Sequence, residues 1–169
     1  MTAPGAHDPA SIAVRPVGPA DVPHVARFIR DLARYERLEH CLDLDESRLR
    51  EHLCGAQPAC GALLATEAEQ PVGFALFFTS YSTFRTRPCL WLEDLFVVPE
   101  RRGKGIGLAL LRAVAAVAVA RGCPRLDWAV LDWNTTAIGF YERHGARLLH
   151  DWRICRLDDE ALRSLARGH

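Results

Sequence analysis

The stretch RRGKGIG, from Arg101 to Gly107, puts three glycines on alternate positions between an apolar run, CLWLEDLFVV, and an apolar-periodic segment, IGLALLRAVAAVAVA. A strand running into glycines and then a helix leaves backbone N–H groups free at the helix N-terminus. Those donors and the helix dipole attract an anion, usually phosphate. Glycine allows positive φ and lets the anion come close to the backbone. Arg101, Arg102 and Lys104 add positive charge at the same turn. The spacing is not that of a Walker loop, because G-x-x-x-x-G-K-[ST] is absent. It is not the dinucleotide fingerprint either, since Leu110 stands where G-x-G-x-x-G would place its last glycine. The chain must therefore build a mixed α/β architecture around an anion-binding turn.

The rest of the chain supplies the partners of that strand and helix. IAVRPV, from Ile12 to Val17, predicts a first strand ended by proline. Val22, Val25, Ala26, Ile29, Leu32 and Ala33 recur at helical spacing and predict a helix over 19–36. DESRLREHL, from Asp45 to Leu53, predicts a short second helix with acids in its first turn. The period then changes to that of strands. GALLATE and VGFALFFTSYS flank the hairpin signal EAEQP. CLWLEDLFVV is apolar on both faces, as a central strand requires. The helix after the glycines is expected over 105–121, with Ile106, Leu110, Ala113, Val114 and Val117 inward and Gly122 and Pro124 as its stop. RLDWAVL, from Arg125 to Leu131, predicts a strand, and residues 135–144 a helix closed by Gly145. ARLLHDWRICRL predicts one or two last strands, and DDEALRSLAR a final helix. The order implies a single α/β domain over 12–169 with two crossover helices, preceded by a flexible tail over 1–11.

Bulk properties exclude several classes. Lys plus Arg and Asp plus Glu are each 21, a zero net charge that gives no reason to expect nucleic acid or an anionic membrane as partner. MTAPGAHDPASIAV has no basic and apolar leader pattern, and no apolar run reaches membrane-spanning length. The six cysteines form no C-x-x-C pair and match no zinc spacing, so no metal is expected and reduced thiols of a cytoplasmic protein are the reading.

LDWNTTAIGFYERHGA holds a second informative pair. Asn134 and Tyr141 are about two helical turns apart and share one helix face. Taken alone, Asn134 can be a helix cap and Tyr141 a packed aromatic. Together with R-x-x-G-x-G, carried by Arg102, Gly105 and Gly107, the segment resembles the GNAT acetyltransferases. Within them it is most similar to the spermidine/spermine (diamine) and thialysine acetyltransferase family. LARYE (Leu32 to Glu36), VGFALFF (Val72 to Phe78), LEDLFV (Leu92 to Val97) and WRICRLD continue the likeness in the same order.

The resemblance implies the acyl-CoA N-acyltransferase fold, α/β (α+β), with a central mixed, mostly antiparallel sheet flanked by helices. It implies acetyl-CoA as co-substrate, held by the backbone of Leu95, Phe96 and Val97 and by the turn from Arg102 through Gly103, Lys104, Gly105, Ile106 and Gly107 to Leu108. Asn134, Ala137 and Tyr141 would meet the CoA arm. It further implies a homodimer, with Tyr35, Glu36, Asp127, Trp128 and Ala129 lining an amine cleft.

Acetyl transfer to an amine needs an anchored donor, a deprotonated amine, a polarised thioester carbonyl and a protonated leaving thiolate. A free amine has a pKa of roughly 10, so a base is required. Glu93 and Asp94 are neighbours on a strand, where alternation sends their side chains to opposite faces. The likeness selects Glu93 to hold the cation and accept its proton. A backbone N–H in Leu95–Val97 would polarise the carbonyl, and Tyr141 would protonate the sulfur. Where polyamine enzymes of the family carry an acid and a Trp before the LED strand, this chain aligns Ser82 and Phe84, followed by Arg85 and Arg87. A cationic loop suits a substrate carboxylate better than a polyamine. The function read from the sequence is therefore acetylation of a small diamine, polyamine or lysine-like amino acid. The alternatives are a protein or peptide N-acetyltransferase and a non-catalytic CoA sensor.

Overall fold

The computed structural model describes residues 12–168, and the tail expected over 1–11 lies outside them. The chain forms two compact units, one reaching to Ala129 and the other starting at Val130.

The first unit is built on a five-stranded sheet in the order β1-β2-β3-β4-β5. Its strands are β1 (Ile12–Pro16), β2 (Gly61–Glu67), β3 (Gln70–Ser82), β4 (Arg87–Val97) and β5 (Leu126–Asp127). The first four pair antiparallel, and β5 joins β4 in parallel. A parallel neighbour needs a crossover, supplied by α3 (Ile106–Ala120). The β2–β3 turn is only Ala68 and Glu69, both at positive φ (47° and 65°), the twist-matched two-residue hairpin built here without glycine or asparagine.

Each face of the sheet has its own cover. On one, α1 (Val22–Glu36) sets Val25 and Phe28 against Ala62, Leu64, Phe74, Leu76 and Phe96. The Phe28 and Phe74 rings stack with centres 5.8 Å apart. α2 (Glu46–Cys54) starts at Asp45, whose carboxylate accepts from the N–H groups of Ser47 and Arg48. On the other face α3 covers β2, β3 and β4. Ile106, Leu110 and Val114 are buried as expected, but Leu111 and Ala118 take the deep places expected for Ala113 and Val117, which are half-buried. The buried row follows the i, i+4 line of the helix, slightly out of phase with the sequence reading. The helix expected to start at Pro19 begins with a 3-10 turn, Pro19–Asp21, before α1. Asp21 is buried there and accepts from Arg15 at 2.6 and 2.8 Å and from the Gly18 N–H at 2.8 Å. The Arg15 guanidinium holds the Asp21 carboxyl down at about 2.

Two departures shape the site. The strand expected over Arg125–Leu131 shrinks to Leu126–Asp127, paired only with Leu90 and Trp91. Just beyond, β4 carries a bulge: Leu92 faces Phe77 and Asp94 faces Leu76, which leaves Glu93 as the extra residue. A bulge bends its strand and increases the local twist. From Leu92 onward β4 therefore remains paired with β3 on one edge and has no strand of this unit beside it on the other.

The second unit contains α4 (Thr135–Arg143) and α5 (Asp159–Arg167). The strands expected in ARLLHDWRICRL do not form, and residues 146–157 hold no strand. Alternation of apolar side chains makes a strand only where a neighbouring backbone completes the ladder. Without one, Trp152 and Ile154 stand 73% and 70% exposed. Among the described residues no helix is long and apolar enough to cross a membrane.

Candidate active site

The end of the site expected to hold the donor is made of backbone. β4 ends at Val97, a 3-10 turn runs over Pro99–Arg101, and α3 begins after its N-cap, Gly105. Gly103 and Gly105 hold φ of 75° and 83°, and a Cβ added to either would meet nothing within 4 Å. Glycine is needed at these positions for conformation, and the space above them is open. Ile106, Gly107 and Leu108 form the first turn of α3, where N–H groups lack intrahelical acceptors. Lys104 is exposed beside them. Open glycines, unsatisfied donors and a helix N-terminus fit a diphosphate. Arg101 is engaged elsewhere, in an ion pair with Glu67.

Arg102 does not face that cradle. Its Nε donates to the Val97 carbonyl at 3.0 Å. Its guanidinium carbon lies 4.6 Å from the centre of the Tyr35 ring and 5.6 Å from that of Phe96. A residue expected to grip the donor thus turns toward the end of α1.

The end expected to receive the amine is made of side chains. Leu95 and Val97, half-buried, and Phe96, buried, line the stretch of β4 past the bulge. Glu93, exposed, accepts from the Trp91 indole N–H at 2.9 Å. Trp91 is also the residue paired with Asp127, so Glu93 and Asp127 meet the same tryptophan where β5 parts from β4. Asp127 is itself ion-paired with Arg125, and Trp128 (half-buried) and Ala129 (exposed) follow it. Asp94 stands apart from its neighbour. Burial, with the nearby Glu93 and Glu36 charges, pushes its carboxyl up to about 7. Glu36, half-buried at the end of α1 beside Tyr35, is raised by burial as well. The Cys60 thiol is raised by burial, then by Asp94 and Cys54. Asp94 and Glu36 therefore form one acidic cluster that the sequence reading did not assemble. The bulge breaks the simple alternation that sends Glu93 and Asp94 to opposite faces. The only trace of Asp94 in the sequence is a second acid in an otherwise apolar central strand.

In the second unit Asn134 caps α4, its Oδ1 accepting from the Ala137 N–H at 3.2 Å. Tyr141 lies about two turns further along, half-buried, with its ring 5.2 Å from Phe140 edge to face.

Comparison with known proteins identifies the family. Residues 25–146 match the acetyltransferase (GNAT) family, and the chain belongs to it. It is 38% identical to a thialysine N-epsilon-acetyltransferase of Bos taurus, over 93% of this chain and 98% of that protein. It is 31% identical to an L-ornithine N5-acetyltransferase of Arabidopsis thaliana, over 90% and 86% of the two chains. Among solved structures, an integron cassette protein from V. cholerae superposes with a TM-score of 0.77 at 27% identity, covering 93% of this chain and 98% of that one. The expected fold class is borne out, and the chain is an N-acetyltransferase.

Proposed function

We propose that this chain transfers an acetyl group from acetyl-CoA to the terminal amine of a small diamine, polyamine or lysine-like amino acid, by direct attack. The observation that carries the reading is the juxtaposition along β4: an unpaired strand edge, a carboxyl cluster at its bulge, and an open glycine turn at its end. Acetyl-CoA supplies the activated acyl thioester. The N–H groups from Gly103 to Leu108 and Lys104 bind its diphosphate. The N–H groups of Leu95 and Val97, which alternate away from β3, orient the donor arm and polarise the acetyl carbonyl.

At the amine end Glu93, exposed, receives the ammonium group, with Glu36 and Asp127 adding negative charge. Asp94 is the better-matched proton acceptor, because its carboxyl titrates near neutrality and efficient bases do so near the working pH. Asn134 meets the CoA arm, and the Tyr141 hydroxyl donates a proton to the leaving sulfur. A homodimer acting in the cytoplasm is part of this reading and rests on the family resemblance.

The test is thiol release from acetyl-CoA with putrescine, spermidine, ornithine, lysine and thialysine, beside Tyr141→Phe. Turnover with at least one amine, and a loss of about 10²-fold or more in kcat for the variant, is the expected result. Tight acetyl-CoA binding with no amine acetylated would remove the small-amine reading.

A further inference from the structure

The sequence counts Arg101 among the cations that would draw an anion to the glycine turn, and the structure gives it another partner. Its Nε lies 2.5 Å from a carboxylate oxygen of Glu67, at the end of β2. The Glu67 side chain is only 18% exposed and that of Arg101 42%. Water and salt screen such a pair less than one on the open surface. The Arg101 charge is thus met within the protein rather than left for a ligand.

Glu67 stands on a stiff platform. It is paired with Ile12 of β1 on one side and Gln70 of β3 on the other, and the two-residue turn at Ala68 and Glu69 follows it directly. The same end of the sheet meets the glycine turn through backbone. Ala65 pairs with Gly73 and Thr66 with Pro71, which leaves Val72 as an extra residue on β3. A bulge re-aims the chain at such a residue, and the Val72 carbonyl accepts the Val98 N–H at 2.9 Å. Past Val98 the backbone folds in on itself: the Arg101 N–H donates to the Val98 carbonyl and the Arg102 N–H to that of Pro99. From there to the N-cap of α3 the turn holds two glycines at positive φ, Gly103 and Gly105. Glycine loses more conformational freedom on ordering than any other residue, so fixing such a turn takes contacts at its ends. The buried Ile106 holds the helix end. At the strand end two charged side chains reach other elements, Arg102 to Tyr35 of α1 and Arg101 to Glu67 of β2.

We propose that Glu67 is a positioning residue for the donor: through Arg101 it fixes the turn over 102–105, so that the N–H groups of Gly103 to Leu108 are aimed at the diphosphate before acetyl-CoA arrives. A site ordered in advance leaves less entropy for binding to remove. The inference rests on the acetyltransferase reading above and adds to its donor site a residue from a separate hairpin.

The sign of the effect separates this role from the opposite one, in which Glu67 only withholds a cation from the diphosphate. Calorimetric titration of acetyl-CoA into Glu67→Gln should show binding about 3- to 10-fold weaker than in the wild-type protein. The KM for acetyl-CoA should rise by the same factor, with kcat and the amine KM little changed. Arg101→Gln should lose as much, and the double variant Glu67→Gln/Arg101→Gln no more than either single one, because both act through one contact. Unchanged or tighter binding in Glu67→Gln, or a further loss in the double variant, would overturn the proposal. A second measurement needs no ligand. Hydrogen exchange of the amides over 100–105 in the free protein should quicken in Glu67→Gln while those of α1 keep their wild-type rates. Quickening across the whole sheet would mean that the pair serves the fold at large and would equally overturn it. If the wild-type protein binds no acetyl-CoA, the acetyltransferase reading fails, and the exchange experiment decides the anchor alone: quickening confined to the turn supports it, and wild-type rates there overturn it.

Discussion

The bulge of β4 and the turn at its C-terminal end are built from opposite materials. At its C-terminal end, the turn from Arg102 to Gly107 presents backbone N–H groups, and its geometry is set by two residues at positive φ. At the bulge, Glu93, Asp94 and Glu36 present carboxylates brought together from β4 and the end of α1. The end expected to hold the donor is local, contained almost wholly in that one turn. The amine end exists only because a helix and a bulged strand converge. A backbone site tolerates most side-chain changes and depends on φ. A side-chain site tolerates backbone adjustment and depends on charge and burial.

The sharpest way to break this contrast is at Asp94. Asp94→Asn keeps the shape and removes the titrating group, and a loss of about 10²-fold or more in kcat is expected. In wild-type protein the rate should rise with pH through about 7 as Asp94 ionises, and that inflection should vanish in the variant. If Glu93→Gln removes the inflection and Asp94→Asn does not, the proton acceptor is Glu93.

At the donor end the sensitive change is Gly105→Ala. A left-handed conformation costs a non-glycine residue roughly 1–2 kcal/mol, and no neighbour obstructs the added Cβ, so the effect is conformational alone. KM for acetyl-CoA should rise about 5- to 30-fold while the amine KM changes little. An equal rise in both would mean that the two ends are not separable.

The last expected effect is on stability, and it has a defined sign. The Asp94 carboxyl is raised in the folded protein to about 7, above its ordinary value near 4. The unfolded chain releases this proton first, so the contribution of Asp94 to stability is full below about pH 4 and falls away as pH rises to about 7. Asp94→Asn escapes that loss. Its melting temperature should gain on the wild-type protein from pH 4 to pH 8, the reverse of its effect on rate. A constant difference across that range would place Asp94 in an ordinary aqueous setting.

Much of the molecule could be read before folding was considered. The hairpin at Ala68 and Glu69, the cap at Asn134, and the strand–glycine–helix turn depend on residues close in sequence. Their physics is local: propensity, capping and the period of apolar side chains. The same holds for Asn134 and Tyr141, which share a helix face by spacing alone. The reading failed where a distant partner decides. The strand over Arg125–Leu131 shortened because pairing stops at Trp91 and Asp127. The segment 146–157 carries strand-like alternation yet has no ladder to join.

What the sequence by itself determined, then, is the order of elements as far as α4 and the glycine turn before α3, because each follows from contacts a few residues apart. What the tertiary structure decided is the placement of the bulge at Glu93, the raised carboxyl of Asp94 and the direction of Arg102. The bulge depends on the register of β4 against β3. The charge state of Asp94 depends on burial and on Glu36, which approaches from another element. Arg102 points toward α1 because two aromatic rings, Tyr35 and Phe96, converge to receive it. Desolvation and through-space charge have no linear spacing to be read, and only packing supplies them.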